Sequence, residues 1–247
     1  MKQGTGKPIS IGGSLGRNEA TGRGVAFCVK KAIKHYGLPD QSPSVVVQGF
    51  GNVGSVTAKL LHESGYKILA VSDVFGGIYN PEGIDIPRLL AYVSEMGKVE
   101  GFTGCKTVSN QELLELPCDV LIPAALGNQI TGENAHRLRC KIVVEGANGP
   151  TEPEADLWLH KNGIVVVPDI LANAGGVTVS YFEWVQGMMH LFWTEAEVNG
   201  RLEEIMNRAC DQVFEMTTKS GLRPRMAALR IGVSKLAEAK RLRGLYP

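Results

Sequence analysis

The sequence predicts an α/β protein: a doubly wound, mostly parallel sheet followed by a C-terminal helical extension. Three observations carry that prediction. Short apolar runs rich in β-branched residues recur at 44–48, 67–72, 119–122, 142–144 and 164–167 with helical spacings between them, an alternation that builds a parallel sheet with helices on both faces. The first run leads straight into Gly49-Phe50-Gly51-Asn52-Val53-Gly54, a complete G-x-G-x-x-G between strand and helix, as in Rossmann-like dinucleotide sites. From about 178 to 243 the pattern becomes helical almost throughout, with a break near Gly221-Leu222-Arg223-Pro224.

Each element follows from local chemistry. Residues 1–17 hold Gly4, Gly6, Gly12, Gly13 and Gly16 without a stable period and read as a linker-like segment. Helical spacing starts near Glu19, with Val25, Val29, Ile33 and Tyr36 on one face, and Gly37-Leu38-Pro39 stops it. After the strand at 44–48, Val53, Val56, Leu60 and Leu61 form a helical stripe that lasts to Ser64-Gly65. Further helices fit 85–97, 110–115, 131–138 and 153–160. The chain reads as one dinucleotide-binding domain over 1–247, with 178–247 as its helical extension.

Composition limits the partners. The 247 residues are 44% hydrophobic and 21% charged, ordinary for a globular protein with a substantial core. A net charge of +1 gives no reason to expect nucleic acid or an anionic membrane. No run of 18 apolar residues is present, and the polar, glycine-rich start is not a signal peptide. Cys28, Cys105, Cys118, Cys140 and Cys210 form no C-x-x-C pair, which points to reduced thiols in a cytoplasmic setting rather than a zinc site or disulfide framework.

The glycines of the loop have separate tasks: Gly49 permits the tight turn, Gly51 admits a pyrophosphate to the backbone, and Gly54 lets helix and strand pack closely. Phosphates would rest on the helix N-terminus, where free N–H groups and the helix dipole favour an anion. About twenty residues beyond Gly54, Asp73 ends the second strand where an acid hydrogen-bonded to an adenosine ribose is expected. Asp73 favours NAD over NADP by repelling a 2′-phosphate, although a cation from elsewhere could neutralise that charge, so NADP stays open. In parallel sheets, ligands bind beyond the carboxyl ends of the strands. Three loops follow such ends: Pro123-Ala124-Ala125-Leu126-Gly127-Asn128, Glu145-Gly146-Ala147-Asn148-Gly149-Pro150 and Pro168-Asp169-Ile170-Leu171-Ala172-Asn173-Ala174-Gly175-Gly176. Any one of them alone reads as a turn; at one end of one sheet, the three together suit a cofactor cleft.

Five segments carry a resemblance: Gly12-Gly-Ser-Leu-Gly-Arg-Asn-Glu-Ala-Thr-Gly-Arg-Gly24, the glycine loop, Ser72-Asp-Val-Phe-Gly-Gly-Ile-Tyr-Asn-Pro-Glu-Gly83, Glu145–Pro150, and Pro168-Asp-Ile-Leu-Ala-Asn-Ala-Gly-Gly-Val-Thr-Val-Ser-Tyr-Phe-Glu-Trp184. Together they span most of the chain and resemble the cofactor-binding domain of glutamate dehydrogenases, which oxidatively deaminate L-glutamate to 2-oxoglutarate and ammonia. The resemblance implies that Thr21 and Asn52 bind the nicotinamide carboxamide, that Asn173 lies near nicotinamide and substrate, and that Ser180 contacts the substrate's side-chain carboxylate. Leucine and phenylalanine dehydrogenases usually differ at the position of Ser180, so the resemblance favours glutamate.

In that family, proton transfer at nitrogen and water falls to a lysine and an aspartate in a separate N-terminal domain. Neither has a counterpart here, and Lys7 does not match the lysine. No catalytic residue is therefore assigned, and the chain alone is expected to bind cofactor without useful turnover. His35, His62, His136, His160 and His190 do not gather near the glycine loop in sequence. Trp184, Met188, Met189, Leu191, Phe192 and Trp193 either fill the core or face a further domain; in the second case self-association into a homo-oligomer is expected. A non-catalytic nucleotide-binding or assembly module and a dehydrogenase of another amino acid remain as alternatives.

Overall fold

The computed structural model describes residues 4–38 and 42–244. A short 3₁₀ turn (Ile9–Ile11) precedes α1 (Ala20–His35). There follow β1 (Ser44–Gln48), α2 (Asn52–Glu63), β2 (Lys67–Ser72), β3 (Gly77–Tyr79), α3 (Ile86–Met96), β4 (Lys106–Val108), α4 (Asn110–Leu114) and β5 (Cys118–Pro123). Then come β6 (Cys140–Val144), α5 (Pro153–Lys161), β7 (Val165–Val167), α6 (Asp169–Ala172), α7 (Gly175–Met189), α8 (Glu195–Ser220) and α9 (Pro224–Arg243).

The strands form one sheet in the order β4-β3-β2-β1-β5-β6-β7. β2, β1, β5, β6 and β7 run parallel, while β3 pairs antiparallel with both β2 and β4. Strand order reverses between β1 and β5, which makes their carboxyl ends the switch point where a ligand crevice opens. Alternation explains the unbroken apolar runs. Val45 and Val47 enter one core while Val46 enters the other, and Val120 and Ile122 part from Leu121 in the same way. Helices α1, α2 and α8 contribute to the first core, and α4 and α5 to the second.

Three differences from the sequence reading have local causes. β3 and β4 are three residues each, too short to display a period, and β4 lies mostly exposed at the sheet edge. The helix expected over 131–138 is only a 3₁₀ turn at Ala135–Arg137. There Asn134 accepts from the Thr131 N–H and donates to the Gln129 carbonyl, so its side chain substitutes for helical bonding. The C-terminal helical run is also broken at 190–194, where His190 takes a left-handed φ of 53° and Thr194 caps α8 through a reciprocal box with Glu197. The stop of α1 is made by Gly37 (φ 68°), with the Leu38 N–H bonding the Ile33 carbonyl; Pro39 lies outside the described residues.

Helices α7 and α8 pack into the core that α1 forms. Val179, Phe182, Val198, Leu202, Met206 and Phe214 share the core of α1. Cys28 on α1 and Cys210 on α8 meet at 3.3 Å between sulfurs, both fully buried; the hydrogen bond shared with Cys210, then burial, pushes the Cys28 thiol up. The segment read as a linker is clamped to α7. Glu183, wholly buried, accepts from the N–H groups of Gly6 (3.0 Å) and Lys7 (3.2 Å) and pairs with Lys7 Nζ at 3.2 Å. Gln186 donates to Ser14 Oγ and accepts from the Trp193 N–H.

Burial pushes the Glu183 carboxyl up, but the two N–H groups and Lys7 outweigh it and hold it below the ordinary value. Glu183→Gln is therefore expected to cost about 2 kcal/mol at neutral pH and to lower Tm by roughly 5 °C. Because the folded pKa is depressed, the contribution is complete above about pH 4.3 and fades as pH falls through the folded value. Calorimetric scans of both proteins from pH 7 to pH 3 should show the Tm gap closing at the acid end; a gap constant with pH would contradict this account.

Candidate cofactor site

β1 ends at Gln48, and the chain turns at Gly49 with φ of 92°. A side chain there would be strained, and its Cβ would lie 2.9 Å from the main chain of Ala124 and Ala125 after β5. The turn is pinned by the Gly49 N–H donating to Ser72 Oγ (3.1 Å) and the Ala124 N–H donating to the Gln48 carbonyl (2.8 Å). A Cβ at Gly54 would collide with the Gly49 carbonyl oxygen, so the first turn of α2 packs directly on the loop. Gly51 caps α2, and a Cβ there would meet nothing within 4 Å. Open space therefore faces the first turn of α2, whose leading N–H groups have no intrahelical acceptor.

Beyond this turn lies a cleft of about 460 Å³ lined by residues from α1, α2, α7 and the loops after β5 and β6. It gathers Thr21, Val53, Ala124, Ala125, Asn148 and Asn173 from the residues expected on sequence grounds. Asn173 Nδ2 donates to Asn148 Oδ1 at 2.7 Å, joining two of the three small-residue loops. Leu126, Gly127, Gly146, Ala147, Gly176 and Val177 complete the lining, and no lining side chain is titratable. None of the five histidines lines it.

The remaining expected residues stand elsewhere. Phe50 is buried in the core, so only its main chain can face a ligand. Asn52 donates its side-chain amide to the Asn18 carbonyl (2.9 Å) and ties the glycine loop to the approach to α1 rather than lining the cleft. Asp73 closes the β2–β3 hairpin: Oδ1 accepts from the N–H groups of Phe75 and Gly76, and Oδ2 from that of Val99 at 2.7 Å. A carboxylate has lone pairs for one further donor.

Ser180 lies one turn along α7 from Gly176, and its Oγ accepts a 2.8 Å hydrogen bond from Arg17 Nε. Arg17, absent from the residues singled out by sequence, lies just before α1, which carries Thr21. Its Nη1 lies 3.8 Å from where a Cβ of cleft-lining Gly176 would be. No carboxylate pairs with it among the described residues. A guanidinium and a hydroxyl side by side, without a protein anion, have the chemistry to bind a carboxylate. The signal available in sequence was a cation in the segment that carried the resemblance.

Outside the cleft, Glu145 is wholly buried at the end of β6; burial raises its carboxyl above the ordinary value, and Arg225 pulls against that rise. Exposed Trp184, Met188, Met189, Leu191 and Phe192 form an apolar band along α7 and the turn after it, while Trp193 packs on Phe182 beneath Arg201. Among the described residues, no helix is long and apolar enough to cross a membrane.

The sheet order and the glycine turn at its switch point place the chain among the Rossmann-like α/β proteins. It belongs to the glutamate/leucine/phenylalanine/valine dehydrogenase family, whose sequence model matches residues 12–244. It is 51% identical over 240 residues to the cryptic catabolic NAD-specific glutamate dehydrogenase GudB of Bacillus subtilis, covering 97% of this chain and 56% of that protein. Over 244 residues it is 50% identical to a Thermotoga maritima glutamate dehydrogenase, covering 98% and 59%. Its fold matches the hetero-hexameric glutamate dehydrogenase of Thermus thermophilus, solved in a Leu-bound form, with a TM-score of 0.91 and 37% identity over 98% of this chain and 57% of that one. The chain thus spans less than three-fifths of the length of these relatives.

Proposed function

We propose that this chain is the NAD-binding part of a glutamate dehydrogenase and that residues 1–247 act as one dinucleotide-binding domain. The observation that carries the reading is the pairing of Arg17 with Ser180 beside a cleft that opens from the glycine turn. The pyrophosphate would lie in the open space at Gly51, held by the N–H groups and dipole of α2. Asp73 would accept from the adenosine ribose, and Thr21, Asn148 and Asn173 would orient the nicotinamide. NAD, when bound, supplies the hydride acceptor. Arg17 and Ser180 would hold the side-chain carboxylate of glutamate and turn its α-carbon toward the cleft. The cleft lining offers no titratable side chain to move a proton. We therefore assign the proton transfers to the portion of the relatives that this chain does not span. The apolar band along α7 fits docking against another surface, and self-association of the separate chain is expected.

Calorimetric titration with NADH and NADPH tests the cofactor reading. NADH is expected to bind roughly tenfold more tightly than NADPH, because a 2′-phosphate would meet the Asp73 carboxylate. Asp73→Asn should narrow that gap. It suits the test better than Asp73→Ala, which would strip the acceptor from three backbone N–H groups. Equal binding of both cofactors, or of neither, by folded protein would sink the reading.

A further inference from the structure

We propose that Arg225 is a positioning residue for the cofactor cleft: its guanidinium bridges Glu145 and Asp169, and so fixes the two loops that present Asn148 and Asn173. The inference rests on the reading of that cleft as the nicotinamide half of an NAD site.

Arg225 stands in the first turn of α9, remote in sequence from both loops. Its Nη2 donates to Glu145 Oε1 at 2.7 Å and its Nη1 to Asp169 Oδ1 at 3.1 Å. Glu145 closes β6 and Asp169 opens α6 directly after β7, so one planar group spans the carboxyl ends of two neighbouring strands. Each carboxylate passes the constraint on. Glu145 Oε2 accepts from the Asp169 N–H at 2.7 Å, and Asp169 Oδ2 accepts from the Gly149 N–H at 2.8 Å. Gly149 adjoins Asn148, whose Oδ1 takes the 2.7 Å bond from Asn173. Hydrogen bonds and one peptide link thus lead from α9 to two amides in the cleft wall.

The charges fit this role better than simple attachment of the helix. Arg223 pairs with Asp156 at the same end of α9 and can anchor the helix by itself, since it reaches neither cofactor loop. Arg225 adds only a longer 3.7 Å contact to Asp156, and its close contacts go to the loops. Glu145 is wholly buried, so without Arg225 its charge would be left uncompensated next to the cleft-lining Gly146. A lysine would keep the charge but could not fork between two carboxylates.

The test uses the 247-residue chain as wild type, Arg225→Lys, Arg225→Gln and, as a neighbouring control, Arg223→Gln. NADH affinity is read by fluorescence, ADP-ribose affinity by calorimetry, and folding by circular dichroism. ADP-ribose lacks the nicotinamide and reports on the glycine-loop half alone. Loss of one aimed hydrogen bond corresponds to roughly tenfold in affinity. Arg225→Lys is expected to weaken NADH by about that factor while ADP-ribose stays within about twofold, and Arg223→Gln should leave both ligands near wild type. If Arg225→Gln does not fold, Arg225→Lys, which preserves the positive charge, decides the matter. Unchanged NADH binding by folded Arg225→Lys would overturn the inference, as would parallel loss of NADH and ADP-ribose, the mark of a merely structural role. Wild type that binds ADP-ribose but not NADH would remove the nicotinamide reading itself, and the inference with it.

Discussion

Replacing Gly49 by valine is expected to remove NADH binding, weakening it by at least about 100-fold. Two independent obstacles act at this position. The backbone has a φ of 92°, which a β-branched residue adopts only under strain. The new Cβ would also fall 2.9 Å from the main chain of Ala124 and Ala125, atoms that cannot rotate away. The turn must open or β5 must move, and either change displaces the N-terminus of α2 from the cleft wall formed by Ala124 and Ala125. A stability loss of about 3 kcal/mol is expected alongside. Calorimetric titration of protein whose circular dichroism still shows native helix separates lost binding from lost fold. NADH affinity within threefold of wild type would mean that the glycine turn does not shape the site.

Arg17→Gln is expected to lower kcat/KM for glutamate by roughly 100-fold, the worth of a charge-assisted hydrogen bond to a carboxylate. The assay requires this chain to be completed by the remaining portion of a relative, because proton transfer is assigned there. NADH affinity should stay near wild type, since Arg17 reaches Ser180 and the edge of the cleft rather than the glycine turn. Amino acids with apolar side chains should lose far less, so the ratio of rates for glutamate and leucine is the sensitive readout. An equal fall for both substrates would show that Arg17 supports the fold rather than recognising the side-chain carboxylate. Failure of the unaltered assembly to oxidise glutamate, with NADH binding intact, would favour a nucleotide-binding module without catalysis.

Much of this architecture was legible because it is local. The strand into Gly49-Phe50-Gly51-Asn52-Val53-Gly54 shows in the residues themselves, since an apolar run, a positive-φ glycine and a helical stripe are each properties of a few neighbouring positions. The loops bearing Ala124, Asn148 and Asn173 followed from the rule that ligands gather at strand ends. The antiparallel β3 and β4 were not legible, because three residues carry no period and the pairing is made by the sheet. Asp73 was read as a ribose acceptor, and the fold adds the hairpin it closes between β2 and β3.

The long-range side-chain pairings belong to the tertiary structure alone. Arg17 and Ser180 are 163 residues apart, Arg225 and Glu145 are 80 apart, and Glu183 meets the N–H of Gly6 across 177. By itself the sequence determined the five parallel strands, the glycine turn after the first of them and most of the helices, because backbone conformation answers largely to nearby side chains. Only the folded chain decided which charges would face one another, since those contacts depend on how α1, α7 and α9 pack together in one core.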